Sequence, residues 1–341
     1  MRIYPKLRVA AVQAAPVYMN MDASVDKACK LIKEAADKGA QLVVFPESFL
    51  PGYPYWIWVD DPISVMPFTQ MLYTQALECP GSELTKIATC AKENKIYVNI
   101  SATEREGSTC YCTQFMFDDK GNLLGKHRKI KPFTSERMIW GEADASTLQV
   151  YKTPVGNIGS LISNEHMVTP EIMALCAQTE EIHLASYPAL PKEPVGYRTY
   201  EPNLSMALNY VISNACYYIM STDVITQETY DLLCTEHPEY AKYLPTSEGD
   251  HLGGGNAFIM NPDAIIISEK LDEKEEGVVT ADIDLSIIGV KNFFMDTAGH
   301  YCNPAVKFDI DVTPKKSLEF IGCRDDSSIS YEQMQAEVPE K

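Results

Sequence analysis

The sequence predicts a layered α/β fold. Apolar strand-like runs alternate with helix-like ones, two hairpin signatures add antiparallel sheet, and 341 residues with 45% hydrophobic content can fill a large core. LRVAAVQAA, from Leu7 to Ala15, reads as a buried strand, and Asp22 to Gly39 as a helix that stops at its glycine. QLVVFPE is a strand ended by Pro46, which cannot donate to a ladder, so the carboxylate of Glu47 stands at the strand's C-terminal edge. Ser82 to Asn94 is helix-like, and KIYVNISATE is strand-like. QFMFDDKGNLLGKHRKI turns at DDKGN and reads as a hairpin, as does GGGNAFIMNPDAIIISEKL around Asn261 to Ala264. VGNIGSLISNEHM, from Val155 to Met167, is an apolar strand running into a tight turn that presents Ser163, followed by Glu165 and a helical pattern. From Thr313 to Lys341 the pattern weakens into a polar, acidic tail, expected to be extended or partly disordered. The expected division is thus a core domain over 1–312 and a tail over 313–341.

Lys and Arg number 29 against 47 acidic residues, a formal charge of −18, and the resulting field repels nucleic acid and anionic membranes alike. The expected partner is a small molecule. With no apolar run long enough to span a bilayer and no secretory pattern at Met1 to Pro16, the expected location is cytoplasmic. The ten cysteines are scattered, so free thiols are expected; Cys110 and Cys112 form a C-x-C pair with no cluster of further ligands, and no metal is expected.

Four positions carry chemistry. Glu47, between an apolar strand and the loop SFLPGYPYW, has the surroundings that raise a carboxyl pKa and suit a general base, although an acid after a strand is also an ordinary loop cap. In GKHRKIKP, strand alternation puts His127, Lys129 and Lys131 on one side and Arg128 and Ile130 on the other, so that one lysine can face a site and stabilise developing negative charge; a solvated basic run is the alternative. Glu136, in SERMIW, can cap a helical turn or supply a second carboxylate. Ser163 lacks the GxSxG pattern of a serine hydrolase elbow, and the sequence singles out no histidine as its base.

Together these segments resemble the nitrilase branch of the carbon–nitrogen hydrolase superfamily, from about Leu7 to about Val306. FPESFLPGYPYW is similar to the family's glutamate motif, HRKIKP to its lysine motif, SERMIWGEADASTLQVYKTPVGNIGSLI to the stretch leading to the nucleophile, and GHYCNPAV (Gly299 to Val306) to a segment near the end of the core. The resemblance implies Glu47 as general base, Lys129 as the catalytic lysine, Glu136 as an additional glutamate and position 163 as the nucleophile, with no cofactor. The family's cysteine and tryptophan are replaced by Ser163 and Asn164, while Glu165 and His166 are kept. Phe133 and Tyr187 depart from a usual threonine and tryptophan.

The implied activity is hydrolysis of a nitrile to a carboxylic acid and ammonia, abolished or strongly impaired here by the serine, which reads as an engineered change or as a natural non-catalytic homologue. A cyanide hydratase or dihydratase, an amidase of the superfamily, and a non-catalytic binder are the alternatives. Tyr53, Trp56, Asn164, His166 and Tyr187 are expected to contact substrate. The implied architecture is an αββα sandwich whose dimers stack to αββα-αββα and extend into spiral homo-oligomers, with the tail as a possible contact.

Overall fold

The computed structural model describes residues 4–190, 200–244, 252–294, 297, 309–314 and 330–336. Its strands are β1 (Lys6–Gln13), β2 (Leu42–Val44), β3 (Tyr97–Glu106), β4 (Thr109–Phe117), β5 (Leu123–Arg128), β6 (Tyr151–Thr153), β7 (Gly156–Ile162), β8 (Ile182–Tyr187), β9 (Tyr217–Thr222), β10 (Phe258–Met260) and β11 (Gly277–Asp284). Its α-helices are α1 (Met21–Asp37), α2 (Met66–Gln75), α3 (Ser82–Asn94), α4 (Thr169–Ala177), α5 (Tyr200–Asn214), α6 (Gln227–Cys234), α7 (Ser286–Phe294) and α8 (Tyr331–Ala336).

The strands pair in two runs, β5-β4-β3-β2-β1-β11 and β6-β7-β8-β9-β10, joined between β1 and β9 by the parallel pair Gln13↔Thr222. Each run buries both faces, which is why β1 reads as a continuous apolar string. Val9 and Ala11 meet Val44, Ile158, Leu184 and Ile219 between the two runs. Alternation sends Ala10 and Val12 the other way, against Val25, Ile32 and Ile87 of α1 and α3. On the far side, Leu161, Ala185 and Met220 pack against Leu175 of α4 and Ala207 and Val211 of α5. The resulting order is helix, sheet, sheet, helix, the layering that the family resemblance implies.

This topology positions the site. β2 runs parallel to β1 and β3, and β8 runs parallel to β7 and β9, so Glu47, Ser163 and Tyr187 all emerge at carboxyl ends on one edge.

Some expectations are corrected. The second hairpin forms its turn, with Ala264 N–H donating to Asn261 O and Ile267 N–H to Ile259 O, but its return arm is not a regular strand, because Ile265 and Ile266 are exposed and gain little from pairing. Free thiols do not hold throughout: Cys29 on α1 and Cys90 on α3 are joined by a disulfide between packed helices. Within the tail, α8 is helical and buries Tyr331 and Met334 beside α3. The segment Gly299 to Val306 lies outside the described residues, as do most of the remaining tail positions.

Candidate active site

Glu47 leaves β2 through Phe45 and Pro46, and its backbone N–H donates to Tyr187 O at 3.1 Å, tying the β2 and β8 edges together. Lys129 follows directly on β5, its N–H bonded to Cys112 O at 2.8 Å. Glu136 sits in a 3-10 turn, Thr134–Met138, and its Oε2 accepts from Phe133 N–H at 2.6 Å while also facing the lysine. The same carboxyl thus both caps the turn and lies against the lysine ammonium.

Lys129 Nζ donates to Glu47 Oε1 at 2.7 Å and to Glu136 Oε2 at 2.7 Å, in a position closed to solvent. Tyr53 OH donates to Glu136 Oε1 at 2.8 Å, and Trp58 Nε1 donates to Tyr53 OH at 3.3 Å. Cys112 Sγ donates to Glu47 Oε1 at 3.6 Å. Glu47 Oε2 is buried without a hydrogen-bond partner among the described residues.

One ammonium thus stands between two carboxylates. Burial pushes the Glu47 carboxyl up to about 8, with the attraction of Lys129 opposing the shift and the charge of Glu136 adding to it. Burial also opposes charge on Lys129, but Glu136 and Glu47 together outweigh it and hold the ammonium well above its usual range. The lysine is therefore held as a cation beside a carboxyl whose ionisation is pushed toward neutral pH.

Ser163 begins a second 3-10 turn, Ser163–Met167, at the end of β7 and has φ 48, in the left-handed region that points its side chain away from the strand. Glu165 pins this turn. Its Oε2 accepts from Ile162 N–H at 2.8 Å and contacts His127 Nε2 at 2.9 Å, while its Oε1 accepts from Ile130 N–H at 2.8 Å. One buried carboxylate therefore holds the residue before Ser163 and the residue after Lys129. The Ser163 hydroxyl makes no hydrogen bond among the described residues, and its carbonyl lies 2.7 Å from His166 Nδ1.

The remaining expected positions divide. Tyr53 reaches the site through Glu136, and half-buried Asn164 lies beside Ser163 with its Nδ2 donating to Lys131 O at 3.3 Å. Trp56 is fully buried, stacked on Phe68 and bonded to Thr69. Both ring nitrogens of His166 face protein groups, Ser163 O and His183 Nε2, and Tyr187 stacks on the His166 ring. Lys131 is exposed and pairs with Glu142, so Lys129 is the lysine of this run that is buried among carboxylates. Arg128 turns away and binds buried Glu104 together with Lys126, as alternation along β5 requires.

Sequence reasoning did not single out Cys112 or Glu104, nor the pinning role of Glu165. Cys112 shares a β4 face with Gln114, but only the β3-β4-β5 register shows which groups that face meets. Among the described residues no cluster of His, Cys, Asp and Glu could hold a metal ion, and no helix is long and apolar enough to cross a membrane.

The carbon-nitrogen hydrolase family model matches residues 8–291. The chain is 38% identical over 334 residues to a nitrilase of Bacillus sp. (strain OxB-1), covering 97% of this chain and 96% of that one. It is 35% identical to an aliphatic nitrilase of Rhodococcus rhodochrous over 302 residues, 88% of this chain and 81% of that one. Among solved structures, a double mutant of the amidase from Nesterenkonia sp. AN1 in complex with acrylamide superposes with a TM-score of 0.58 at 14% identity, over 83% of this chain and 93% of that one.

Proposed function

We propose, for a chain that belongs to the carbon–nitrogen hydrolase family and is by that membership an enzyme of carbon–nitrogen bonds, that its site is built to hydrolyse a nitrile and that Ser163 strongly impairs it. The observation that carries this reading is the solvent-excluded set Glu47, Lys129 and Glu136, in which Glu47 Oε2 is left open. Relatives named nitrilases support the nitrile.

With a thiol at position 163, Glu47 takes the thiol proton as sulfur attacks the nitrile carbon, and passes it to the nitrogen, giving a thioimidate. Lys129 stabilises the charge that develops on nitrogen and needs no proton change to do so. A water molecule, losing its proton to Glu47, adds to the thioimidate carbon; collapse with proton return to nitrogen expels ammonia and leaves an acyl thioester. A second water hydrolyses that thioester to the carboxylic acid and restores the thiol.

Serine interrupts the first step. Its hydroxyl is far less acidic than a thiol, whose pKa is about 8.5, and the neighbouring histidines are engaged elsewhere: His127 with Glu165, His166 with Ser163 O and His183, His183 with Glu180. The test is ammonia release from a panel of aliphatic and aryl nitriles, inorganic cyanide and the matching amides, by this chain and by Ser163→Cys. The expected result is turnover of one or more nitriles by Ser163→Cys alone; equal rates in the two proteins, or turnover of amides only, would overturn it.

A further inference from the structure

We infer that Tyr210, Glu180, His183 and His166 form an uncharged hydrogen-bonded relay with a single proton order, which holds the Ser163–Asn164 peptide in one orientation. The inference deepens the reading of position 163 as the nucleophile and rests on it for its kinetic consequence, though not for its structural one.

The contacts are continuous and buried. Tyr210 OH donates to Glu180 Oε2 at 2.6 Å, Glu180 Oε1 meets His183 Nδ1 at 2.8 Å, His183 Nε2 meets His166 Nε2 at 2.8 Å, and His166 Nδ1 meets Ser163 O at 2.7 Å. A carbonyl oxygen only accepts, so His166 Nδ1 carries a proton. A neutral His166 then has a bare Nε2, and the proton between the rings belongs to His183 Nε2. His183 Nδ1 is bare in turn, so the proton it accepts comes from a protonated Glu180, whose other oxygen accepts from Tyr210. Each contact has one proton and every group is neutral.

The same contacts would also fit an ion pair, with that one proton moved from Glu180 to His183. The surroundings disfavour it. His183 packs against the Tyr210 ring at 3.9 Å and the Tyr218 ring at 5.1 Å, with Tyr187 stacked on the next imidazole, and two charges there lose their hydration. Burial accordingly drives His183 well below the usual histidine range, with His127 adding to the shift and Glu165 opposing it, and pushes Glu180 up to about 8, with Tyr210 opposing. For His166, burial leads and His183 and Lys129 reinforce it, while Ser163 O and Glu165 oppose it, lowering its pKa to about 3 so that the ring is neutral at neutral pH. Gly159 completes the cradle: a Cβ there would lie 2.0 Å from Glu180 Oε1, so only glycine on β7 admits the carboxyl.

The consequence lies in the peptide plane. C=O and N–H of a trans peptide point in opposite directions, so drawing Ser163 O toward His166 aims Asn164 N–H the other way. Asn164 is the second residue of the 3-10 turn Ser163–Met167, so the relay sets which way its N–H faces beside position 163. The relay residues are positioning residues that act through this plane.

The test begins with the chain as it stands, labelled with 15N-histidine and observed through long-range proton–nitrogen correlations between about pH 6 and 8, the range in which histidine ordinarily titrates. The expected result is an Nδ1–H tautomer for His166 and an Nε2–H tautomer for His183; an imidazolium signal from His183, or the opposite tautomer of either ring, would overturn the inference. This measurement needs no substrate and so stands whether or not any nitrile is turned over. In the Ser163→Cys background, Glu180→Leu is expected to lower kcat about 100-fold with KM little changed, and Glu180→Gln, which can donate to His183 and accept from Tyr210, to restore most of it. Equal loss in both variants would mean that a carboxylate charge is required and would defeat the proton order.

Discussion

Lys129 Nζ donates to Glu47 Oε1 at 2.7 Å, yet the other oxygen of Glu47, equally buried, has no partner among the described residues. An unpaired buried acceptor costs about 1–3 kcal/mol, and the fold tolerates it at the atom that a reacting proton would reach. The carboxylate is held from one side and open on the other.

The first prediction concerns pH. Because burial raises Glu47 to about 8 against an ordinary 4.5, the carboxyl proposed as general base is largely protonated below that value. For Ser163→Cys, kcat/KM should therefore rise with pH along a limb centred near 8. A limb near 4.5 would show that Lys129 compensates the burial fully and that the base is ionised throughout the neutral range.

Glu136→Gln supplies a second prediction with a defined sign. Glu136 raises the Glu47 pKa through its charge, and glutamine keeps an oxygen to accept from Lys129 while removing that charge. The limb of the Ser163→Cys, Glu136→Gln double variant should move to lower pH. An unmoved limb, with activity retained, would mean that the two carboxylates do not sense one another.

Much of this site was legible in the sequence, for reasons that are local. Pro46 ends β2 and fixes Glu47 at the sheet edge, and the apolar run Gly156 to Ile162 delivers Ser163 to the same edge. Lys129 could not be separated from Lys131 by spacing, because the difference lies in what faces each: Glu47 and Glu136 for one, solvent and Glu142 for the other. Cys112 beside Glu47, and Glu180 beside His183, depend on strand register and on a missing Cβ at Gly159, neither of which leaves a periodic trace. The Cys29–Cys90 bridge depends likewise on the approach of α1 to α3.

A third prediction concerns stability. Glu104 is buried with Lys126 Nζ at 2.8 Å, Arg128 Nε at 2.8 Å and Thr113 Oγ1 at 2.8 Å. Burial alone would raise its carboxyl, but Lys126 and Arg128 overcome this and hold it at about 2. A lowered folded-state pKa stabilises above the unfolded value of about 4.5 and is lost as pH falls toward 2. Glu104→Gln removes the buried charge that Lys126 and Arg128 share, although Arg128 keeps Glu106, and should cost about 3–5 kcal/mol in urea unfolding at neutral pH, with a shallower loss of stability on acidification. Undiminished stability in the variant would show that the cations find other partners.

The last prediction isolates Glu165, whose two oxygens bind Ile130 N–H on one side and Ile162 N–H and His127 on the other. Although burial opposes ionisation, His127 and these backbone groups keep the carboxyl below its ordinary value, so both oxygens act as acceptors. Glutamine of the same shape offers only one oxygen, and its NH2 must face a backbone N–H in either orientation. The mismatch should destabilise the fold by about 1–3 kcal/mol. It should also loosen the link between the Lys129 segment and the Ser163 turn, so that Glu165→Gln in the Ser163→Cys background lowers kcat more than it raises KM, because the proposed reacting groups lose alignment while the binding surface persists. Unfolding by urea and single-turnover kinetics separate the two effects: a loss of stability with unchanged kcat would confine Glu165 to holding the fold together and leave the alignment of Ser163 with Lys129 to other contacts.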